Sequence, residues 1–263
     1  MNLHSKHETR RRLIRGMPES DMLHNLVAQW YRSPQGREVL HAEREVIKPL
    51  LEKLFGYHIL QVGFSEEHSL IESSPVGHKV IFAPSYREGS KTPVAENEEL
   101  PLGNDSIDVV LVHHALDFTD NSHRLLREMT RVLRPGGHMI IVGFNPYSSW
   151  GLWKLFKRRT NVPWRGRFIS KGRVADWLKL LDLEIDSVSY GLHFLPSSFS
   201  RLLKSAKRLE AFGRKIHSPI GGAYYIHCVN QHAPITPILP RWNPLPARAA
   251  SLPAAENVST KIH

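Results

Sequence analysis

His113 and His114 stand together after the apolar run Asp108-Val109-Val110-Leu111-Val112, where a buried strand would end. Imidazoles at such a lip can take up or release a proton near neutral pH. Metal ligation is not expected of them. The chain has no H-E-x-x-H or similar spacing, and adjacent residues on a strand point to opposite faces, so its sixteen histidines read as polar lining. The second feature with chemical consequence is the run Lys154, Lys157, Arg158, Arg159, Arg165, Arg167, Lys171 and Arg173, which contains no acid. Residues 201–215 add six Lys/Arg against Glu210, whereas residues 58–145 carry twelve Asp/Glu against seven Lys/Arg. Local positive charge attracts an anionic partner such as a nucleic acid, nucleotide or lipid surface, and it equally suits a solvated face; both readings stay open. No nucleic-acid reading motif accompanies the basic segments.

These residues need elements to position them. Ser33-Pro34 reads as a cap and first-turn proline, and Val39, Leu40, Val46, Ile47, Leu50, Leu51 and Leu54 recur at helical spacing up to Gly56. Met22, Leu23, Leu26, Val27 and Trp30 predict a shorter amphipathic helix before it, and the Trp30-Tyr31 pair reads as ordinary core. After Gly56 the pattern changes to short apolar runs at Tyr57–Val62, Lys79–Phe82, Asp108–Val112 and Met139–Phe144, separated by turns and helices. That alternation is the mark of a parallel α/β sheet. The clearest helix lies between the last two runs. Asp120 is its predicted cap, Leu125, Leu126, Met129, Val132 and Leu133 line one face, and Pro135-Gly136-Gly137 should end it. A further helix is expected from Ser170 to Leu181, then strands over Glu184–Tyr190 and Ala223–Val229.

Composition sets limits on class. With 41% hydrophobic and 23% charged residues the chain suits a globular protein, and no apolar run approaches the roughly 18 residues of a bilayer span. The basic N-terminus lacks a following apolar stretch, so no secretory signal is read and a cytoplasmic location is expected. Cys228 is the single cysteine, which excludes an intrachain disulfide and a cysteine-based zinc site. The expected organisation is a helical segment over 1–56, an α/β domain over 57–232 with basic insertions at 146–173 and 193–220, and a disordered tail over 233–263 with six prolines.

The stretch from Glu98 through Leu100-Pro101 to Asp108-Val109-Val110-Leu111 closely resembles the segment before and through the fourth strand of type 11 S-adenosylmethionine-dependent methyltransferases. Leu125-Leu126-Arg127-Glu128 and Arg131 to Ile141, with Pro135-Gly136-Gly137, resemble that family's next helix, turn and fifth strand, and Gly143-Phe144-Asn145-Pro146 with Ser148 and Gly151-Leu152 resembles its YafS-like bacterial branch. The resemblance implies a Rossmann-like, seven-stranded sheet with helices on both faces and an antiparallel last strand. It implies S-adenosylmethionine as cofactor, bound near Gly63, Phe64, Ser65, Ala83, Pro84, Asn97, Glu98 and His113. This sequence departs from the family pattern at several of these places. Glu67 stands where a third glycine is common, Gln61 where an acid is usual, and Ala83-Pro84-Ser85 where an acidic ribose acceptor is usual. Losing charge-assisted bonds worth about 1.5–3 kcal/mol each should weaken cofactor binding or abolish it. No catalytic residue is assigned; if the methyl acceptor must lose a proton, His113 or His114 is the nearest candidate. The acceptor is expected to be anionic if the basic run covers the cleft. The rival reading is a non-enzymatic descendant of the fold acting as a binding or regulatory module.

Overall fold

The computed structural model describes residues 19–64, 66–84, 93, 95, 98–156, 162–194 and 219–231. Two helices come first, α1 (Glu19–Tyr31) and α2 (Pro34–Leu51), the second capped by the Ser33 hydroxyl, which accepts from the Gly36 amide. Strands β1 (His58–Val62), β2 (His78–Phe82) and β3 (Ile107–His113) follow, then helices α3 (Ala115–Phe118) and α4 (Ser122–Val132). Strand β4 (Leu133–Phe144), helices α5 (Ser149–Phe156) and α6 (Lys171–Leu180), and strands β5 (Leu183–Gly191) and β6 (Ala223–Asn230) complete the order. The Pro-rich stretch expected to be a tail, and most of the 193–220 insertion, lie outside the described residues.

The sheet runs β2-β1-β3-β4-β6-β5, parallel from β2 to β4 and antiparallel at β6 on both sides. The expectation of seven strands is corrected to six among the described residues. The seventh would fall in the stretch after β2, where the Ala83 N–H donates to the Pro93 carbonyl and Ala95 N–H to the Ala83 carbonyl, both at 3.2 Å. That is the bonding of a single parallel bridge on the edge of β2 away from β1. Two sequence-level boundaries also move. Asn121, not Asp120, caps α4 by accepting from the Arg124 amide. Pro135-Gly136-Gly137 does not separate helix from strand: β4 begins at Leu133, directly after the helix. Leu133 pairs with Ile107 and His138 with Val109, so the intervening residues bulge from the ladder, and the Asn230 side chain donates to the Leu133 and Arg134 carbonyls.

Strand alternation divides the core. Ile59, Val109, Leu111, Ile140 and Val142 face α1 and α2, packing with Val27, Val39, Val46, Ile47 and Leu51. Leu60, Val62, Val110, Val112, Met139 and Ile141 face α4 and α6, packing with Leu125, Leu126, Met129, Val132, Val174 and Leu178. Each such side chain fully buried contributes about 1.5–3 kcal/mol, so both helical layers are held by the same two-residue period. At the amino ends of the parallel strands Asp108 fixes the entry to β1. Its carboxylate accepts the Tyr57 and His58 amides, both at 2.7 Å, and pairs with Arg134. Among the described residues no helix is long and apolar enough to cross a membrane.

Candidate active site

The parity that sorts the core also aims the site. Gln61 and His113 share the phase of Ile59, Val109 and Leu111, so both point toward the layer of α1 and α2. On α2 the buried stripe runs Val39, Leu40, Glu43, Val46, Ile47, and Glu43 therefore enters the core opposite the end of β3. His114 should by alternation face the other layer. Instead it leaves the strand in the left-handed region, φ 52° and ψ 10°, and its ring turns to the same side as His113. The expectation that the two histidines diverge is thereby overturned, because alternation holds only while the backbone stays extended.

The result is a fully buried chain of polar groups. Glu43 Oε2 lies 2.9 Å from His113 Nε2 and Glu43 Oε1 2.8 Å from His114 Nε2. His114 Nδ1 lies 2.8 Å from Asp117 Oδ2, and that oxygen accepts the Phe144 amide at 3.0 Å. The Tyr31 hydroxyl, 3.2 Å from His113 Nε2, closes the α1 side. Burial favours the neutral form of the Glu43 carboxyl, yet the two imidazoles outweigh it and hold the group down at about 2. Burial likewise opposes charge on His114, but Glu43 and Asp117 push its imidazole up to about 9. For His113 burial prevails over Glu43 and lowers the imidazole; for Asp117 burial raises the carboxyl against the bond from His114. His114 thus has both nitrogens engaged. His113 Nδ1 is buried without a hydrogen-bond partner among the described residues, and a Cβ placed on Gly63 would lie 3.6 Å from it.

The residues implied by the resemblance are distributed unevenly around this cluster. Gly63 ends β1 beside His113, and Phe64 packs its ring against His113, Phe118 and Tyr31 with centroids 6.1, 5.4 and 6.3 Å away. Gln61 is buried; its amide donates to the His68 carbonyl and its oxygen accepts the Leu70 amide, so it braces the loop it precedes. Glu67 points outward and pairs with Arg32 at 2.6 Å. Ala83 is buried at the end of β2 with half-buried Pro84 after it, and offers no side-chain acceptor. Glu98 sits apart from the histidines and accepts from the Thr119 hydroxyl at 2.8 Å. Ser65, Ser85 and Asn97 lie outside the described residues. Glu43 and Asp117 were not singled out from the sequence, and Tyr31 was read there only as core. The signal for Glu43 was present: it falls four residues after Val39 and four before Ile47, a carboxylate in the middle of an apolar stripe.

Beyond β4, Pro146, Tyr147, Ser148, Gly151, Leu152, Lys154, Leu155 and Phe168 line an open groove. The Lys154 ammonium lies over the Phe168 ring at 4.3 Å and donates to the Gly166 carbonyl. Arg167 reaches Asp120 at 3.4 Å, whereas Lys157, Arg158 and Arg159 lie outside the described residues.

The carboxyl ends of a parallel sheet such as β2-β1-β3-β4 are where α/β proteins place ligands. A methyltransferase domain family matches residues 73–141. Uncharacterized protein YafS of Escherichia coli K12 is 35% identical over 169 residues, covering 64% of this chain and 69% of that protein. A phthiotriol/phenolphthiotriol dimycocerosates methyltransferase of Mycobacterium leprae is 32% identical over 85 residues, 32% of each chain. A crystal structure of a S-adenosylmethionine-dependent methyltransferase from Thermotoga maritima superposes with a TM-score of 0.60 at 20% identity, over 78% of this chain and 95% of that one, which fixes the fold. The chain belongs to the YafS family and has the class I methyltransferase fold, with residues 73–141 matching the methyltransferase domain model.

Proposed function

We propose that the chain transfers a methyl group from S-adenosylmethionine to an acceptor that carries an anionic group on an apolar body. The observation that carries the reading is the juxtaposition of Gly63 with the unpartnered, buried His113 Nδ1 at the carboxyl ends of β1 and β3. A buried polar atom without a partner is costly, and such atoms mark places where a ligand supplies the missing bond. The residues at β1 and β3 fit the cofactor, since Gly63 presents no side chain there and a methyl at that position would meet only ordinary contacts of 3.5 Å or more. At β2 the fit is poorer, because Ala83 gives the ribose no carboxylate.

The bound cofactor supplies an electrophilic methyl with its own leaving group, so the protein's part is to orient the acceptor and exclude water. Phe64, Phe118 and Tyr31 supply the dry wall on one side of His113. If the acceptor must lose a proton, His114 is unsuited because both nitrogens are held by carboxylates. His113 Nδ1 is then the atom able to take it, in the tautomer whose Nε2–H donates to Glu43. The groove beside Lys154, with exposed Tyr147, Leu152 and Leu155, supports an acceptor of mixed character.

Calorimetric titration with S-adenosylmethionine and S-adenosylhomocysteine tests the cofactor. Weak but saturable binding is expected, and Ala83→Asp should tighten it about tenfold by restoring an acceptor for the ribose, the equivalent of about 1.4 kcal/mol. No heat from either protein at millimolar ligand would favour the non-enzymatic descendant. For the acceptor, turnover should fall with added salt, and Arg158→Ala with Arg159→Ala should flatten that dependence without altering cofactor affinity.

A further inference from the structure

We propose that Glu43, His113 and His114 form a binding site for one first-row divalent transition-metal ion, with Asp117 as the outer brace. The three donors come from two elements that only the tertiary fold brings together, and their ligand atoms all lie within 4.8 Å of one another. The two carboxylate-to-imidazole separations are 2.8 and 2.9 Å. Adjacent ligands of an octahedral ion at about 2.1 Å from the metal stand roughly 3.0 Å apart, so the side chains need little rearrangement to coordinate. Two imidazoles and one carboxylate on one side of an ion leave its other positions open, and this donor set suits Zn2+, Fe2+ or Mn2+.

The surroundings match a metal centre in a second respect. A ligating histidine characteristically donates its other ring N–H to a carboxylate, which fixes the tautomer and aims the free lone pair at the metal. His114 Nδ1 has this bond to Asp117, and Asp117 is itself fixed by the Phe144 amide. Charge balance points the same way. Glu43 and Asp117 are both fully buried carboxylates, and a divalent ion with two neutral imidazoles would neutralise the pair without requiring an imidazolium. The left-handed turn at His114 gains a purpose too, since an extended residue there would carry its ring to the far side of the sheet. With Nε2 on the metal, His113 Nδ1 carries the proton and becomes a donor toward the Gly63 side, replacing the acceptor of the metal-free form.

This inference does not rest on methyl transfer, but a metal-bound His113 could not also take the acceptor's proton at Nδ1; its test needs no cofactor. Full-length protein is stripped with a chelator, refolded with and without Zn2+, and titrated with Zn2+ alone, stoichiometry being read by elemental analysis. One equivalent per chain is expected, with a raised unfolding temperature and an X-ray absorption signature of two imidazoles plus oxygen. Glu43→Gln should abolish that equivalent, and Asp117→Asn should weaken it about 10–100-fold, the usual cost of losing such a brace. The double variant His58→Ala/His78→Ala and the single variant His138→Ala should retain it. Should Glu43→Gln fail to fold, Asp117→Asn and the absorption spectrum of the wild type decide alone. Failure of the wild type to bind Zn2+, Co2+ or Mn2+ below about 100 µM, an affinity of roughly 5.5 kcal/mol, would overturn the proposal. So would an equivalent that survives Glu43→Gln and disappears with His58 and His78.

Discussion

Toward the amino ends of the parallel strands, His58 and His78 meet through their Nδ1 atoms at 2.8 Å in solvent, and His138 meets His227 at 3.1 Å beside Asp186, which is 61% exposed. At the carboxyl ends, His113 and His114 close on Glu43 with no exposure at all. Residue types and spacings are similar at the two ends. What differs around these histidines is the cover: α1 and α2 close the carboxyl end with Tyr31 and Glu43, while water reaches the His58–His78 pair and the Asp186 carboxylate. A charge interaction of fixed length is worth several-fold more away from water, so the same pairings are structural ornament at one end and a poised site at the other.

The sharpest way to break this contrast is to remove the carboxylate that organises the buried end. In metal-free protein Glu43→Ala should lower unfolding stability by about 3–5 kcal/mol, because it leaves the buried Nε2 atoms of His113 and His114 without their carboxylate. Denaturant titration followed by fluorescence measures the loss; a change under 1 kcal/mol would mean that water already reaches the cluster. Asp108→Asn should cost less, about 1.5–3 kcal/mol, since it removes a charge from two amide contacts and from Arg134 but keeps an oxygen in place. The smallest effect is expected of Asp186→Ala, within about 1 kcal/mol, because its partner His227 is matched with a largely exposed carboxylate. Equal losses for Glu43→Ala and Asp186→Ala would dissolve the distinction between the ends.

Much of the framework was legible in the sequence because it rests on local periods. Short apolar runs marked β1, β2, β3 and β4, alternation marked β5, and Ser33 caps its helix as read. Membership in the family was legible from Leu100-Pro101 through Asp108 and from Arg131 to Ile141. The site was less so. Gly63 and His113 were named from the sequence, and each stands at the end of a strand whose phase is set by its neighbours. Glu43 was not, and Tyr31 was read only as core, because their role depends on how α1 and α2 dock on the sheet, which no local period encodes. His114 was misread for a different reason: a single residue in the left-handed region reverses the direction that alternation predicts, and a non-glycine gives no sequence warning of it. The count of seven strands came from family likeness, whereas among the described residues the outer position is marked by the bonds of Ala83 with Pro93 and Ala95.

On the proposed reading, S-adenosylmethionine binds at the covered, carboxyl end of the sheet. Hydrogen–deuterium exchange of the full chain with and without saturating S-adenosylhomocysteine tests it most directly. The account predicts added protection in peptides spanning residues 60–64 and 113–118, with peptides covering His58, His78 and His227 unchanged. Protection confined to those amino-end peptides, or none anywhere at saturating ligand, would contradict it.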